Sequence, residues 1–199
     1  MTLDIKIPEG LSKWTDLVAP AGRHLLFSAA ANAVQILVRD HLSGEAMKRH
    51  ASAFRLGATP TGILQQAARK TTFNATSDYG EVIIPSPAVA RALGDVTITP
   101  NAAHDLTIPI NKLSYGRRAK ELRALGWKFF TPPEGHDKED ILFGYRGKGK
   151  NREVVPLYLL KKQVEQKQDR SLLPSDAEIG TAAARAMVNE IKRVAENAA

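Results

Sequence analysis

The apolar residues near the start of the chain recur at steps of three and four, which is the spacing of a helix with one buried face. This pattern predicts a helix over residues 23–42, opened at Pro20 and ended by the Ser-Gly pair at residues 43–44. The segment is rich in alanine, so that neighbouring elements can approach it closely. The positions that set the pattern are Leu26, Ala30, Val34 and Val38.

A second helix is predicted at the end of the chain. Ser175 and Glu178 have the spacing of a capping box, in which each side chain bonds a backbone N–H of the other residue. The apolar face predicted after this box consists of Ile179, Ala183, Met187, Ile191 and Val194. Shorter helical patterns cover residues 45–56, 61–70, 88–93 and 114–125.

The middle of the chain, residues 81–110, changes to an extended pattern. Three runs rich in β-branched residues, 82–84, 96–99 and 106–108, are separated by proline and glycine. We interpret this stretch as the sheet around which the helices are arranged, with its first run paired in a hairpin to residues 71–76. Residues 127–130 and 141–145 are predicted to be paired strands, and a final strand is predicted at 154–160. Pro156 within the final strand favours a sheet edge or a bulge over a central position.

These elements predict an α+β protein with an Ala-rich N-terminal helix and a C-terminal helix packed on a mostly antiparallel sheet. We expect an extended N-terminal arm over residues 1–19 and a single α+β domain over residues 20–199. Leu3, Ile5 and Ile7 alternate with polar residues, so the arm predicts a strand added to a sheet edge of this subunit or of a neighbour. These three residues are the candidate subunit-contact arm.

Composition narrows the class of protein. Of 199 residues, 43% are hydrophobic and none is cysteine, which predicts a folded chain with no disulfide, thiolate metal site or cysteine nucleophile. No apolar run reaches the roughly 20 residues of a membrane span. The first residues lack the pattern of a signal peptide, so we expect no membrane association and no secretion.

The formal net charge of +7 favours attraction to nucleic acid or to an acidic protein surface. Residues 112–128 hold six basic and one acidic residue, and residues 146–170 hold eight basic and three acidic, so each segment has a net charge of +5. Solvated helix faces and loops also produce such runs. The candidate DNA or partner contacts are Arg117, Arg118, Lys120, Arg123, Lys148, Lys150 and Arg152.

No catalytic, metal or cofactor site is predicted. Residues 144–151 match the glycine-lysine spacing of a phosphate loop, but Asn151 replaces the required hydroxyl and a strand follows, so we interpret them as a basic hairpin tip. The five histidines lack metal-ligand spacing. His104 and Asp105 could orient a general base in a small hydrolase, although no nucleophile signature accompanies them.

Four features taken in order resemble a family of tailed-phage structural proteins. They are the Ala-rich helix at 23–42, residues 90–100 (ARALGDVTITP), residues 106–119 (LTIPINKLSYGRRA), and residues 155–160 (VPLYLL) with Leu172-Leu173-Pro174 and the closing helix. Together they are similar to tail-completion or neck proteins of the minor tail protein Z and virion-morphogenesis class. The likeness spans roughly residues 20–195 and is one of pattern and order.

The resemblance implies a non-enzymatic ring subunit, with six copies by family architecture, at the head-proximal end of the tail. Its implied partners are copies of itself, the tail terminator, the head–tail connector and the tape-measure protein, with contact to phage DNA also open. Its implied location is the virion neck, and the host cytoplasm during assembly. The alternative function is a non-specific DNA-binding protein that uses residues 112–128 and 146–170.

Overall fold

The computed structural model describes residues 2–5, 20–49, 51–101, 103–138 and 140–197. Helices and antiparallel sheets both contribute, which confirms the predicted α+β class with long helices near both ends. The helices are α1 (Pro20–Lys48), α2 (Ala51–Arg55), α3 (Ile63–Lys70), α4 (Pro87–Ala92), α5 (Ala119–Ala124) and α6 (Asp176–Asn197). The strands are β1 (Thr2–Ile5), β2 (Thr72–Ala75), β3 (Gly80–Ile83), β4 (Val96–Ile98), β5 (Leu106–Pro109), β6 (Lys128–Phe130), β7 (Ile141–Arg146), β8 (Glu153–Lys161) and β9 (Val164–Gln166).

The strands form three antiparallel sheets, ordered β1-β3-β2, β4-β9 and β5-β8-β7-β6. The predicted hairpin between residues 71–76 and 82–84 is confirmed by the pairing of β2 with β3. The interpretation of residues 81–110 as one sheet is wrong, because β3, β4 and β5 each belong to a different sheet. Their partners, β1 and β2, β9, and β8, come from the rest of the chain.

The chain divides into two compact units, where the sequence predicts one domain over residues 20–199. Unit 1 comprises Met1–Met47, Gly62–Gly94 and Gln168–Ala199, and unit 2 comprises Lys48–Thr61 and Asp95–Lys167. The middle stretch passes from unit 1 to unit 2 after Gly94, between the end of α4 at Ala92 and the start of β4 at Val96.

The core of unit 1 is built on α1. Ala30, Ala31, Val34 and Val38 are fully buried on this helix, and they pack in one cluster with β3, α4 and α6. Strand β3 approaches this helix closely at Gly80. A Cβ added at Gly80 would lie 2.9 Å from the backbone oxygen of Phe27 and 3.1 Å from the Cβ of Ala31. The Ala-rich helix therefore sets the distance at which the sheet packs.

Helix α1 continues past the predicted stop at residues 43–44 and ends at Lys48. Leu42 and Ala46 are both buried, so the apolar face spans the Ser-Gly pair. A glycine inside a helix costs roughly 1 kcal/mol relative to alanine. Burying a single leucine side chain contributes about 1.5–3 kcal/mol, which outweighs that cost.

The capping box at the start of α6 is confirmed. The Ser175 backbone N–H donates to Glu178 Oε2 at 2.8 Å, and the Glu178 N–H donates to Ser175 Oγ at 3.3 Å. Ala183 and Met187 are buried in the core of unit 1, with Ile179 and Ile191 packed beside them. The prediction for Val194 is wrong, because this side chain is 46% exposed.

In unit 2, one side of the four-stranded sheet packs against α5 and the residues around it. Leu122, Trp127, Leu157 and Tyr158 form the buried cluster there. The register between β7 and β8 shifts between Leu142 and Phe143, and Phe143 pairs with Pro156. The predicted bulge is thus confirmed next to Pro156, with Leu157 as the extra residue of β8. Strand β8 is central in the order of the sheet, but its ladder with β5 covers Tyr158–Lys161 and does not include Pro156.

Helix α5 is shorter than the predicted helix over residues 114–125. Ser114 is fully buried, and its hydroxyl donates toward the backbone oxygen of Leu157 on β8. Gly116 has a φ of +70°, which an α-helix cannot accommodate. The helix therefore begins at Ala119, with Glu121 Oε2 accepting a hydrogen bond of 3.2 Å from the Arg118 N–H.

Candidate nucleic-acid and subunit interfaces

The other side of the four-stranded sheet in unit 2 carries aromatic and basic side chains. Residues directly opposite each other in an antiparallel pair share one face of the sheet. Phe130 of β6 lies opposite Phe143 of β7, and Tyr145 of β7 lies between Lys128 of β6 and Val154 of β8. We call this surface the aromatic face, and it comprises Lys128, Phe130, Phe143, Tyr145, Arg152 and Val154.

The rings of the aromatic face contact one another and remain accessible. The centroids of Phe130 and Phe143 are 5.5 Å apart in a stacked arrangement, and those of Phe130 and Tyr145 are 6.0 Å apart and tilted. Phe130 is 38% exposed, whereas Phe143 and Tyr145 are half-buried. The face is thus a continuous aromatic surface that solvent reaches.

Arg152 adds a cation to this surface. Its guanidinium carbon lies 4.1 Å from the centroid of the Tyr145 ring, which is the geometry of a cation–π contact. Arg152 and Lys128 are exposed and make no ion pair within the described ranges. Both cations are therefore available to an anionic ligand at the aromatic face.

Four of the predicted basic contacts lie on or beside α5, on the opposite side of the same sheet. Arg117, Arg118, Lys120 and Arg123 are all exposed. Arg123 stacks over Phe129, 5.5 Å from its centroid, and Phe129 packs on the α5 side of the sheet. The structure therefore separates this group from the aromatic face.

The turn between β7 and β8 holds the other three candidates, and its structure confirms the basic hairpin tip predicted at residues 144–151. The turn contains a short 3-10 helix, Gly149–Asn151, and β8 follows at once. Lys148 and Arg152 are exposed, and Lys150 lies within the 3-10 helix. Among the predicted basic residues whose side chains the structure describes, Arg152 contacts a ring of the aromatic face.

Sequence reasoning missed Lys128, Phe130, Phe143 and Tyr145. The signal was present, because Lys128 and Phe130, and again Phe143 and Tyr145, are spaced two residues apart in predicted strands. This spacing places each pair on one face of a sheet. The predicted pairing of these two strands is confirmed, and its register, which the pattern does not specify, brings the two pairs of residues together.

The charge of the protein is concentrated in unit 2. This unit contains 17 of the basic and 9 of the acidic residues, a net charge of +8, while unit 1 contains 11 and 12, a net charge of −1. The excess positive charge thus belongs to the unit that carries the aromatic face.

A different kind of surface lies on α1 in unit 1. Leu25, Ile36 and Met47 are spaced by eleven residues, which is about three helical turns, so they share one face of the helix. Their side chains are 43%, 51% and 76% exposed. We call these three residues the α1 ridge, and they lie about 16 Å apart along a helix whose opposite face is core.

A shallow groove of about 580 Å³ also lies between α1 and α6. Ala33 and Leu37 of α1 line it, with Ala182 and Ala186 of α6 opposite them. Small apolar residues of this kind let another helix approach closely, and the groove extends the apolar surface of unit 1.

The N-terminal candidate contact adds a strand to its own chain. Leu3 pairs with Val82 and Ile5 with Gly80, so β1 extends the sheet that β2 and β3 begin. The sequence pattern did not specify whether this strand would join a sheet of its own subunit or of a neighbour. Ile7, the third residue of the candidate arm, lies outside the described residues.

The hypothetical His104–Asp105 dyad lacks the contact that it requires. The Asp105 carboxylate pairs with Lys162 Nζ at 2.9 Å, and no hydrogen bond joins Asp105 to His104 in the described structure. The Asp140 carboxylate pairs with Lys161 Nζ at 3.8 Å. Among the described residues there is no cluster of three potential metal ligands.

Tyr158 has the one strongly shifted pKa in the part of the chain that the structure describes. Burial, and to a smaller extent the negative charge of Glu121, raises the pKa of Tyr158 to about 12, whereas Arg117 lowers it. Its hydroxyl donates to the Arg117 backbone oxygen at 2.9 Å. The group is a structural hydrogen-bond donor beneath α5, and it holds the segment that carries Arg117.

Comparison of the chain with protein-family models, with curated proteins and with solved structures finds no match. No helix in the described segments is both long and apolar enough to cross a membrane.

Proposed function

We propose that the chain is a structural subunit of a tailed-phage virion, a tail-completion or neck component that joins the head connector to the tail. The observation that carries this proposal is the α1 ridge. Single exposed apolar residues are ordinary on protein surfaces. Three of them on one face of a helix, beside a groove lined by alanine and leucine, support the proposal that a partner covers this side of unit 1.

The partners follow from the resemblance. They are copies of the chain in a ring of six, the tail terminator, the head–tail connector and the tape-measure protein. A contact between two different patches of identical subunits closes into a ring when the rotation between neighbours permits it. In this proposal the chain acts by binding other proteins, performs no catalysis, and resides in the virion neck after assembly in the host cytoplasm.

Electron microscopy of lysates made without the protein tests the role. Separate DNA-filled heads and finished tails are expected, and joined virions in normal number would refute the proposal. Complementation then tests the α1 ridge. Ile36→Glu should leave heads and tails separate, whereas His24→Glu, which introduces the same charge at an exposed position on another face of α1, should restore joined virions.

The second candidate function is non-specific DNA binding through residues 112–128 and 146–170. The observation that favours it is the segregation of charge, with +8 in unit 2 and −1 in unit 1. Phosphate contacts release counterions, so such binding must weaken steeply as salt rises. A salt series with duplex DNA tests it, and the absence of binding at low salt would remove this candidate.

A further inference from the structure

We propose that the aromatic face of unit 2 binds single-stranded nucleic acid, with one base stacked on Phe130 and a second on Tyr145 after the Arg152 guanidinium moves from that ring to a phosphate, and with a further phosphate held by Lys128. This site goes beyond both functions above, because it engages bases and not only phosphates or protein. It depends on neither of them.

The rings of Phe130 and Tyr145 are at the surface of the sheet. Proteins that bind single strands without sequence preference present aromatic rings on a sheet, on which successive bases stack. Phe130 and Tyr145 lie on the neighbouring strands β6 and β7, with ring centroids 6.0 Å apart. Phe143 stacks on Phe130 at 5.5 Å and supports that ring from within the sheet.

Two cations lie beside the rings. Lys128 is directly opposite Tyr145 on β6, and the guanidinium of Arg152 lies over the Tyr145 ring. A backbone that crosses the rings would therefore pass close to two positive charges. The hairpin tip next to Arg152, which includes the exposed Lys148, extends the positive charge beyond the rings.

The same geometry favours single strands over duplex. In a duplex the bases are stacked on one another, and their flat faces are not available to a protein ring. Phosphate contacts alone would need no aromatic residue. The aromatic face thus fits unpaired DNA or unpaired RNA, because both present bases and phosphates. The 2′-hydroxyl is the group that would distinguish the two.

Fluorescence anisotropy of the full chain with labelled strands of about 16 nucleotides, the upper site size of a single stacking domain, provides the test. The probes are oligothymidine, oligouridine and a duplex of equal length. The single strands should bind more tightly than the duplex. Comparison of the first two probes shows whether DNA or RNA is preferred, and either result supports the site.

Three variants examine the contacts. Phe130→Leu and Tyr145→Leu should each weaken single-strand binding about 5- to 150-fold, the equivalent of one lost base stack. Arg152→Gln should reduce the dependence of log affinity on log salt by about 0.7, the value for one phosphate contact on a single strand. Tyr79→Leu, which changes an exposed tyrosine in unit 1, is the matched control and should bind as the wild type does.

Folding of each variant is verified by circular dichroism, and Arg152→Gln changes an exposed side chain that the fold does not require. The proposal is wrong if single strands fail to bind at low salt, or if duplex binds as tightly and the Phe130, Tyr145 and Arg152 variants have no effect. It is equally wrong if only substitutions at Arg117 and Arg118 reduce binding. The last result would leave non-specific DNA binding by the α5 side of the sheet intact.

Discussion

The guanidinium of Arg152 lies 4.1 Å from the centroid of the Tyr145 ring, at the point where β8 begins beside β7. The contact orients a basic residue of the hairpin tip toward the aromatic face. The two residues are seven positions apart in the chain. Arg152 is exposed, so the contact is expected to contribute modestly to stability.

A double-mutant cycle measures that contribution. Cation–π contacts at exposed sites are worth about 0.5–1 kcal/mol. Urea unfolding of the wild type, Arg152→Gln, Tyr145→Leu and the double variant should yield a coupling free energy in this range. If the two single effects simply add, the side chains do not interact in solution.

The approach of Gly80 to α1 predicts opposite effects of alanine at two glycines. A Cβ at Gly80 would lie 2.9 Å from the Phe27 backbone oxygen and 3.1 Å from the Ala31 Cβ, so Gly80→Ala should lower the free energy of unfolding by about 1–3 kcal/mol. Gly44 lies inside α1 with no atom within 4 Å of the added carbon. Gly44→Ala should therefore raise the free energy of unfolding by about 0.5–1 kcal/mol.

Denaturant midpoints of the two variants test this pair of predictions. A Gly80→Ala protein as stable as the wild type would mean that β3 does not pack on α1 at the distance described. The Gly44→Ala protein separates this packing effect from the general preference of helices for alanine.

The raised pKa of Tyr158 predicts that the protein loses stability at high pH. Its pKa is raised from 10.0 to about 12 in the folded protein, so the folded state holds this proton more tightly than the unfolded state does. The contribution is complete below pH 10 and is lost as the pH rises toward 12. Tyr158→Phe removes this pH dependence, and it also removes the hydrogen bond to Arg117, which costs about 1 kcal/mol at neutral pH.

Unfolding of the wild type and of Tyr158→Phe, followed between pH 9 and 12, checks this prediction. The difference in stability between them should shrink as the pH rises. A difference that stays constant through this range would show that the Tyr158 hydroxyl is not buried against Arg117.

The lowered pKa of Glu178, at the start of α6, predicts that the protein loses stability in acid. The Ser175 hydroxyl and backbone N–H donate to its carboxylate and lower its pKa, and the charge of His41 lowers it further, while burial opposes the shift. The stabilisation is present above the pKa of the unfolded state and is lost as the pH falls through the folded pKa. Glu178→Gln should therefore be less stable than the wild type at neutral pH and equal to it in acid.

Thermal melts of the two proteins across the acid range measure this convergence. Ser175→Ala is the companion variant, since it removes the same capping box from the other side. If Glu178→Gln and the wild type differ by the same amount at every pH, the carboxylate does not cap α6.

Local chemistry made much of the fold predictable. The capping box of α6, the β2–β3 hairpin and the bulge next to Pro156 each follow from interactions within a few residues or from the missing N–H of proline. The errors arise where distant residues compete with the local pattern. Ser114 bonds Leu157, which is 43 positions away, and together with Gly116 it delays the start of α5.

The distribution of the middle strands among three sheets follows from the same limit. The three β-rich runs of residues 81–110 resemble one another, and their partners lie elsewhere in the chain. The candidate site shows the same difference between what a local pattern predicts and what the pairing of distant strands decides. The sequence contained the basic residues, Arg152 among them, but the aromatic face exists only because β6, β7 and β8 are paired.

Gold labelling of the chain in intact virions tests the central claim most directly. A tagged chain that supports assembly should be labelled at one position in each particle, the junction between head and tail. Labelling that is absent from purified virions, or that is spread over the head or along the tail, would contradict the role proposed for this protein.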